Sequence, residues 1–160
     1  MNIRIGLGYD VHQLAAGEEL WLGGILIPHD KGTVAHSDGD VLLHAICDAL
    51  LGAAGLRDIG YHFPDTERAY KNIDSKKLLA SVYQLIRGKG YRLVNLDATV
   101  AAQRPRLKDL IPAMEEVIAE ILESETDCIN IKATTTENLG FEGREEGISV
   151  QAIALIEKTS

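Results

Sequence analysis

Residues 3–12 read IRIGLGYDVH, with Ile3, Ile5, Leu7, Tyr9 and Val11 on alternate positions. Alternation with a period of two predicts a strand over Ile3–His12. Asp10 and His12 stand two apart at its end, so their side chains share a face and can converge on one ion. Gly6-Leu7-Gly8 superficially suggests a dinucleotide-binding turn. Position 11 is Val where that fingerprint needs glycine, and no helix begins there, so the reading fails.

Working outward, Leu20–Leu22 and Ile25–Ile27 form a hairpin turned at Gly23-Gly24 and ended by Pro28. A polar stretch, His29–Gly39, carries the cluster His36-Ser37-Asp38-Gly39-Asp40. Val41–Ala54 reads as a helix buried on most sides, with Val41, Leu42, Ala45, Ala49 and Gly52 along one face. Ser37 or Asp38 suits its N-cap and Gly55 its stop. Residues Arg57–Asn72 have turn chemistry throughout and read as an active-site loop or a short 3₁₀ segment. Ser75–Arg87 is an amphipathic helix, Tyr91–Ala102 a strand, Leu110–Leu122 a third helix and Ile129–Thr135 a strand. Glu137–Gly147 is a charged, glycine-rich loop. Ile148–Ile156, apolar on both faces, is a central strand. The predicted class is α+β, a mixed α/β two-layer structure with a mixed β-sheet and helices packed on one face.

The chain has 160 residues, 46% of them apolar and 25% charged, which fits one domain, 1–160, with an ordinary core. A formal net charge of −8 disfavours nucleic acid as a partner. It leaves room for a small phosphorylated ligand held by a metal or a helix N-terminus. Cys47 and Cys128, without CxxC spacing, read as reduced core residues. No apolar run approaches the ~18 residues of a membrane span, and no signal peptide is visible. The expected location is therefore the cytoplasm, or an organelle for a mature plastid chain.

The chemistry gathers around three candidate ligands, Asp10, His12 and His44. Two imidazoles and a carboxylate suit zinc, and three protein ligands leave a fourth position open for water or a phosphate oxygen. Each residue alone has an ordinary structural reading: a strand-end pair, and a hydrogen-bonded core histidine. His36-Ser37 ahead of the helix reads either as loop and cap or as an anion-binding corner of imidazole, hydroxyl and helix dipole. Thr134-Thr135-Thr136-Glu137 is good strand sequence, yet three hydroxyls and a carboxylate at a strand end could hold a diphosphate and a harder second metal such as Mg²⁺.

GLGYDVH (6–12), HSDGDVLLHAICDALLGAAGLRDIG (36–60), FPDT (63–66), KATTTENLGFEGR (132–144) and EEGI (145–148) occur in that order. Together they closely resemble the 2-C-methyl-D-erythritol 2,4-cyclodiphosphate synthase family over Ile3 to about Ile156. The resemblance implies a lyase of the non-mevalonate isoprenoid pathway. It would convert 4-diphosphocytidyl-2-C-methyl-D-erythritol 2-phosphate to the cyclic diphosphate with release of CMP. It implies a homotrimer with active sites between subunits. Zinc would sit on Asp10, His12 and His44, and Mg²⁺ or Mn²⁺ on Glu137. His36 and Thr135 would stabilise the transition state. Asp58, Ile59 and Gly60, with Phe63, Pro64, Asp65, Thr66 and Glu67, match stretches touching the erythritol and its phosphate. Ala102, Gln103, Arg104, Pro105, Arg106, Leu107 and Lys108 match the cytidine pocket. Phe141 and Arg144 match further ligand contacts. Arg106 stands where Lys is common and Glu67 where Asp is common; both keep charge. Two other readings share the same ligands: a zinc phosphohydrolase, and a non-catalytic trimeric module binding a metal and a prenyl diphosphate. Within the trimer, Arg144 and Glu146 are expected near the threefold axis, either as ion pairs or as a ring that binds a prenyl diphosphate.

Overall fold

The strand opened by Ile3 runs to Ala16, in a computed structural model that describes residues 2–64, 66 and 73–159. This strand, β1, pairs antiparallel with β7 (Gly147–Lys158), from Ile3 opposite Glu157 to Gln13 opposite Gly147. β7 pairs antiparallel with β5 (Tyr91–Ala101), and β5 pairs parallel with β6 (Ile129–Thr134). With β4 (Lys31–Val34) on the outer side of β1, the order is β4-β1-β7-β5-β6, a mixed sheet with β7 inside it as its sequence predicts. β4 lies in the stretch read as polar loop. Residues Gln13–Ala16, beyond the predicted end of β1, supply its partner. Lys31-Gly32-Thr33-Val34 shows no apolar alternation because an edge strand with one neighbour needs none.

β2 (Leu20–Leu22) and β3 (Ile25–Ile27) form the expected hairpin, with Gly23 at φ +62° and Gly24 at φ +79°. Both are left-handed, as a type I′ turn requires. The helices are α1 (Val41–Ala53), a short α2 (Ile59–His62), α3 (Ser75–Gly88), α4 (Ile111–Ile121) and a short α5 (Gly140–Gly143). A 3₁₀ turn, Thr126–Cys128, precedes β6. α5 falls within a segment read as a loop, and α2 within one read as an active-site loop or a short 3₁₀ segment.

α1 is the axis of the core. Its residues are buried except His44, Asp48 and Gly52, which leave the core at four-residue intervals. Gly52 thus belongs to the exposed stripe and not to the apolar face. The helix presses unusually close to β1. A Cβ at Gly6 would lie 2.0 Å from the Ala49 carbonyl oxygen, and one at Gly8 1.8 Å from that of Ala45. Only glycine admits this approach, which accounts for the Gly-Leu-Gly that mimics a nucleotide motif. The N-cap of α1 is Asp40, not Ser37 or Asp38. Its fully buried carboxylate accepts from Leu43 N (3.0 Å), Gly23 N (3.0 Å) and Gly24 N (2.7 Å), so one side chain caps the helix and fastens the hairpin to it. Asp38 is engaged elsewhere, as described below. Gly55, at φ +69°, ends the helix as expected. Cys47 is buried, whereas Cys128 in the 3₁₀ turn is half-buried and not in the core; both are free thiols.

On the side of the sheet away from α1 the alternation of β1 continues outward. Ile5 and Leu7 are 68% and 65% exposed, and Ile3, Tyr9, Val11 and Ile153 are exposed beside them. Among the described residues, no helix is long and apolar enough to cross a membrane.

Candidate active site

Asp10 and His12 share the α1-facing side of β1, and His44 on α1 is brought against them by the glycine contact. His12 Nε2 lies 2.9 Å from Asp10 Oδ2, His44 Nδ1 lies 3.3 Å from the same oxygen, and the two ring nitrogens are 3.2 Å apart. Ligand atoms ~2.0–2.2 Å from a tetrahedral zinc stand roughly 3.3–3.6 Å apart, so the triangle is only slightly contracted from that spacing. Asp10 Oδ2 is buried, and neither ring aims an N–H at it in hydrogen-bond geometry despite the short distances. Three ligand atoms this close together, one of them buried without a donor, suit a divalent cation. Among the described residues this is the cluster that could hold a metal. Burial opposes charge on Asp10, but His12 and His44 outweigh it and hold the carboxyl at about 2. Burial likewise opposes charge on His44, and the neighbouring Asp10 more than offsets it, raising the imidazole.

The remaining ring nitrogen of His44 is also engaged. Nε2 lies 2.9 Å from Ser75 Oγ and 3.4 Å from Ser37 Oγ. Ser75 Oγ bonds Asp38 Oδ1. Asp38 Oδ2 accepts from Ser75 N (2.8 Å), and Asp38 N donates to Ile73 O (3.3 Å). The HSDGD loop is thereby tied to the start of α3.

A cavity of about 510 Å³ opens beside the triangle. His12 and His44 form one wall, and His36 and Ser37 form another. Ile59, Gly60, Phe63, Pro64 and Thr66 reach it from the segment around α2. Asp48 Oδ1 accepts from Ile59 N at 2.7 Å and so docks that segment on α1. Asp58 caps α2 by accepting from Tyr61 N at 3.0 Å. Asp65 and Glu67 lie outside the described residues.

A second cavity, about 400 Å³, lies at the far edge of the sheet. Ala102, Gln103, Pro105, Arg106, Leu107 and Lys108 line it from the loop after β5, and Thr134 and Thr135 from the end of β6. Arg104 is exposed and lies 3.9 Å from Glu145. Thr136 Oγ1 donates to Leu139 O at 2.6 Å. Thr135 Oγ1 accepts from Glu137 N at 3.3 Å, within a turn where Glu137 (φ +54°) and Asn138 (φ +63°) are left-handed. Asn138 N donates to Gln103 Oε1 at 3.2 Å, joining the two segments. Phe141 sits in α5 and Arg144 just after it, and neither lines either of these two cavities. Arg144 makes a two-pronged ion pair with Glu146, at 3.0 and 3.1 Å.

The two cavities are at one end of the sheet but share no lining residue among those described. Val11, Ser149, Ala101 and Thr134 form a row across four strands. Three strand spacings put Thr134 roughly 14 Å from β1. The structure therefore gathers His36 and Ser37 with the Asp10–His12–His44 triangle and leaves Thr134–Glu137 apart. Sequence reasoning passed over Ser75 as a partner of His44, Asp38 as a partner of Ser75, and Asp48. Asp48 follows His44 by one turn in an otherwise apolar helix, a signal open to reading; the Asp38–Ser75 pair spans 37 residues and left none.

The YgbB family model matches residues 3–157. The 2-C-methyl-D-erythritol 2,4-cyclodiphosphate synthase of Bacteroides fragilis is 62% identical over 99% of both chains. Among solved structures, the bifunctional IspDF of Campylobacter jejuni superposes with a TM-score of 0.95 at 46% identity; the match covers 99% of this chain and 43% of that longer one. A CDP complex of IspF from Plasmodium falciparum gives a TM-score of 0.88 at 33% identity, over 99% of this chain and 98% of that one.

Proposed function

The chain belongs to the YgbB family, and from that premise we propose that it is a 2-C-methyl-D-erythritol 2,4-cyclodiphosphate synthase of the non-mevalonate isoprenoid pathway. It converts 4-diphosphocytidyl-2-C-methyl-D-erythritol 2-phosphate to the 2,4-cyclodiphosphate and CMP. An oxygen of the 2-phosphate bonds to the β-phosphorus, the bond from that phosphorus to the bridging oxygen breaks, and the electron pair leaves with CMP. This bond accounting makes the enzyme a lyase. The observation that carries the reading is the Asp10–His12–His44 triangle at the wall of the 510 Å³ cavity.

Phosphoryl transfer of this kind needs alignment and charge neutralisation more than a covalent catalyst. The nucleophile is already a phosphate oxygen, so no strong base is required. Zn²⁺ on Asp10, His12 and His44, and Mg²⁺ or Mn²⁺ on Glu137, would supply the positive charge that polarises the diphosphate. His36 and Ser37 would meet phosphate oxygens in the first cavity, with Ile59, Gly60 and the segment from Phe63 holding the erythritol. Thr134, Thr135 and Thr136 would give hydroxyl donors at the diphosphate, and the loop from Ala102 to Lys108 would hold the cytidine.

A substrate that reaches both halves needs them closer than one chain puts them. Assembly as a homotrimer, with the metal half of one subunit facing the Thr135 half of the next, answers this. The exposed apolar row of β1 and Ile153 supports it, since a patch of this kind marks a surface that another chain covers. A prenyl diphosphate at the threefold axis has less support, because each Arg144 is already closed by Glu146. A cytoplasmic location goes with the substrate, whose charges bar unaided passage through a membrane.

Incubation with the cytidyl substrate, Zn²⁺ and Mg²⁺ tests the reading. CMP and cyclic diphosphate should appear together in equal amounts. Inorganic phosphate without cyclic product would favour a zinc phosphohydrolase, and tight binding without turnover a non-catalytic module.

A further inference from the structure

Ser75 is a polar residue with no exposed surface at the first position of α3, far in sequence from every candidate ligand. Its hydroxyl stands between His44 Nε2, at 2.9 Å, and Asp38 Oδ1. The neighbours of Asp38 decide which way the hydrogens run. Its carboxylate faces donors: Asp40 N at 3.1 Å, Ser75 N at 2.8 Å and the Ser75 hydroxyl. A carboxylate accepts and cannot donate, so the one hydroxyl hydrogen of Ser75 points to Asp38. Its lone pair then faces His44, and only a protonated Nε2 can occupy that place. In the neutral ring a proton on Nε2 leaves Nδ1 bare, and Nδ1 is the atom 3.3 Å from Asp10 Oδ2 and 3.2 Å from His12 Nε2. Ser37 Oγ, 3.4 Å from the same Nε2, lies farther off and already accepts from Gly39 N at 3.1 Å.

We propose that Asp38 and Ser75 are positioning residues that hold His44 in the tautomer able to bind metal through Nδ1. The inference rests on the reading of Asp10, His12 and His44 as a metal site, and it adds the device that presets one ligand. Partners behind a ligating histidine fix its ring and raise its basicity, and their loss typically costs about 10–100-fold in metal affinity. The same pair joins the HSDGD loop to the start of α3, so the orientation of His44 is set by two segments that close one side of the cavity.

The test measures Zn²⁺ affinity by chelator competition on the full chain, with folding followed by circular dichroism. Ser75→Ala should fold, keep one zinc per chain and bind it about 10–100-fold more weakly. Ser75→Thr, which restores the hydroxyl, should recover most of that loss; a purely structural role for Ser75 would not follow the hydroxyl. Asp38→Asn should lose at least as much, because an amide can donate to Ser75 and reverse the chain of hydrogens. A measurement on the wild type needs no variant: nitrogen NMR of the zinc-loaded protein should show the proton of His44 on Nε2 and the metal on Nδ1. A folded Ser75→Ala that binds zinc within twofold of wild type overturns the relay, as does metal on Nε2. If wild type holds no zinc, or His44→Ala holds it equally well, the metal site itself fails and the relay with it.

Discussion

The two cavities differ in how completely the chain finishes them. Around His44 the groups are packed together: three ligand atoms lie close to one another, and the outer ring nitrogen is tied through Ser75 to Asp38. The helix beneath is held against β1 by glycines with no room for a methyl group. Around Thr135 the groups are exposed, and their bonds are local, to atoms within three residues or to Gln103. The half around His44 is therefore preorganised by packing, whereas the half around Thr135 presents its donors on an exposed turn. Preorganised charge is what stabilises a phosphoryl transition state, so changes in the first half should cost most.

The largest effect is expected from His44→Ala. It removes one of three protein ligands and leaves a core otherwise intact, so metal content should fall and turnover should drop by about 10³-fold or more. Full metal occupancy with normal turnover would make His44 a core histidine. Leu7→Asp comes next and separates the halves. Leu7 is exposed in the single chain, so the fold should survive. In the proposed trimer a carboxylate at Leu7 would be forced into an apolar interface, which is costly, and that assembly should dissociate. Zinc binding per chain should persist while turnover falls by roughly 10²-fold, or ~2.7 kcal/mol. Sedimentation and metal analysis on one sample check both, and a wild type that sediments as a single chain would sink the trimer.

Gly8→Ala perturbs the metal half indirectly. The added methyl meets the Ala45 carbonyl, which belongs to helix backbone and cannot swing aside. Overpacking of this kind costs about 1–3 kcal/mol, which lowers the thermal midpoint by roughly 3–10 °C in a chain of this size. Because α1 carries His44, zinc affinity should weaken with it. A midpoint within a degree of wild type would mean that the close approach is dispensable.

How much of this was legible in the sequence depended on range. Alternation announced β1 and placed Asp10 and His12 on one face, and the apolar helix announced α1. Gly23-Gly24 announced its own turn. Those signals are local and periodic. β4 was missed because Lys31–Val34 has neither an apolar alternation nor a turn of its own, and forms by pairing with a strand that is already there. The cap of α1 was misplaced within HSDGD because five adjacent residues hold three cap formers, and burial under the hairpin chooses Asp40. The Asp38–Ser75 pair depends on a contact between distant segments, as does the roughly 14 Å between Thr134 and β1. Periodicity carries no information about either.

Glu137→Gln should give the smallest effect, and it sharpens the comparison most. Glu137 is exposed, its carboxylate lies 3.5 Å from Thr135 Oγ1, and its backbone is held left-handed within the turn. Gln keeps the shape and that backbone preference, so stability should not change measurably. An amide is a poorer ligand than a carboxylate for a hard cation. The Mg²⁺ concentration giving half-maximal rate should therefore rise about tenfold, equivalent to ~1.4 kcal/mol, while the rate at saturating Mg²⁺ stays near wild type. Zinc content should be unaltered, because the triangle lies on β1 and α1, away from this turn. An unchanged Mg²⁺ titration would remove Glu137 from the second metal. Loss of zinc together with the Mg²⁺ response would show that the halves are not independent, and would bring Glu137 of one subunit close to the ligands of another.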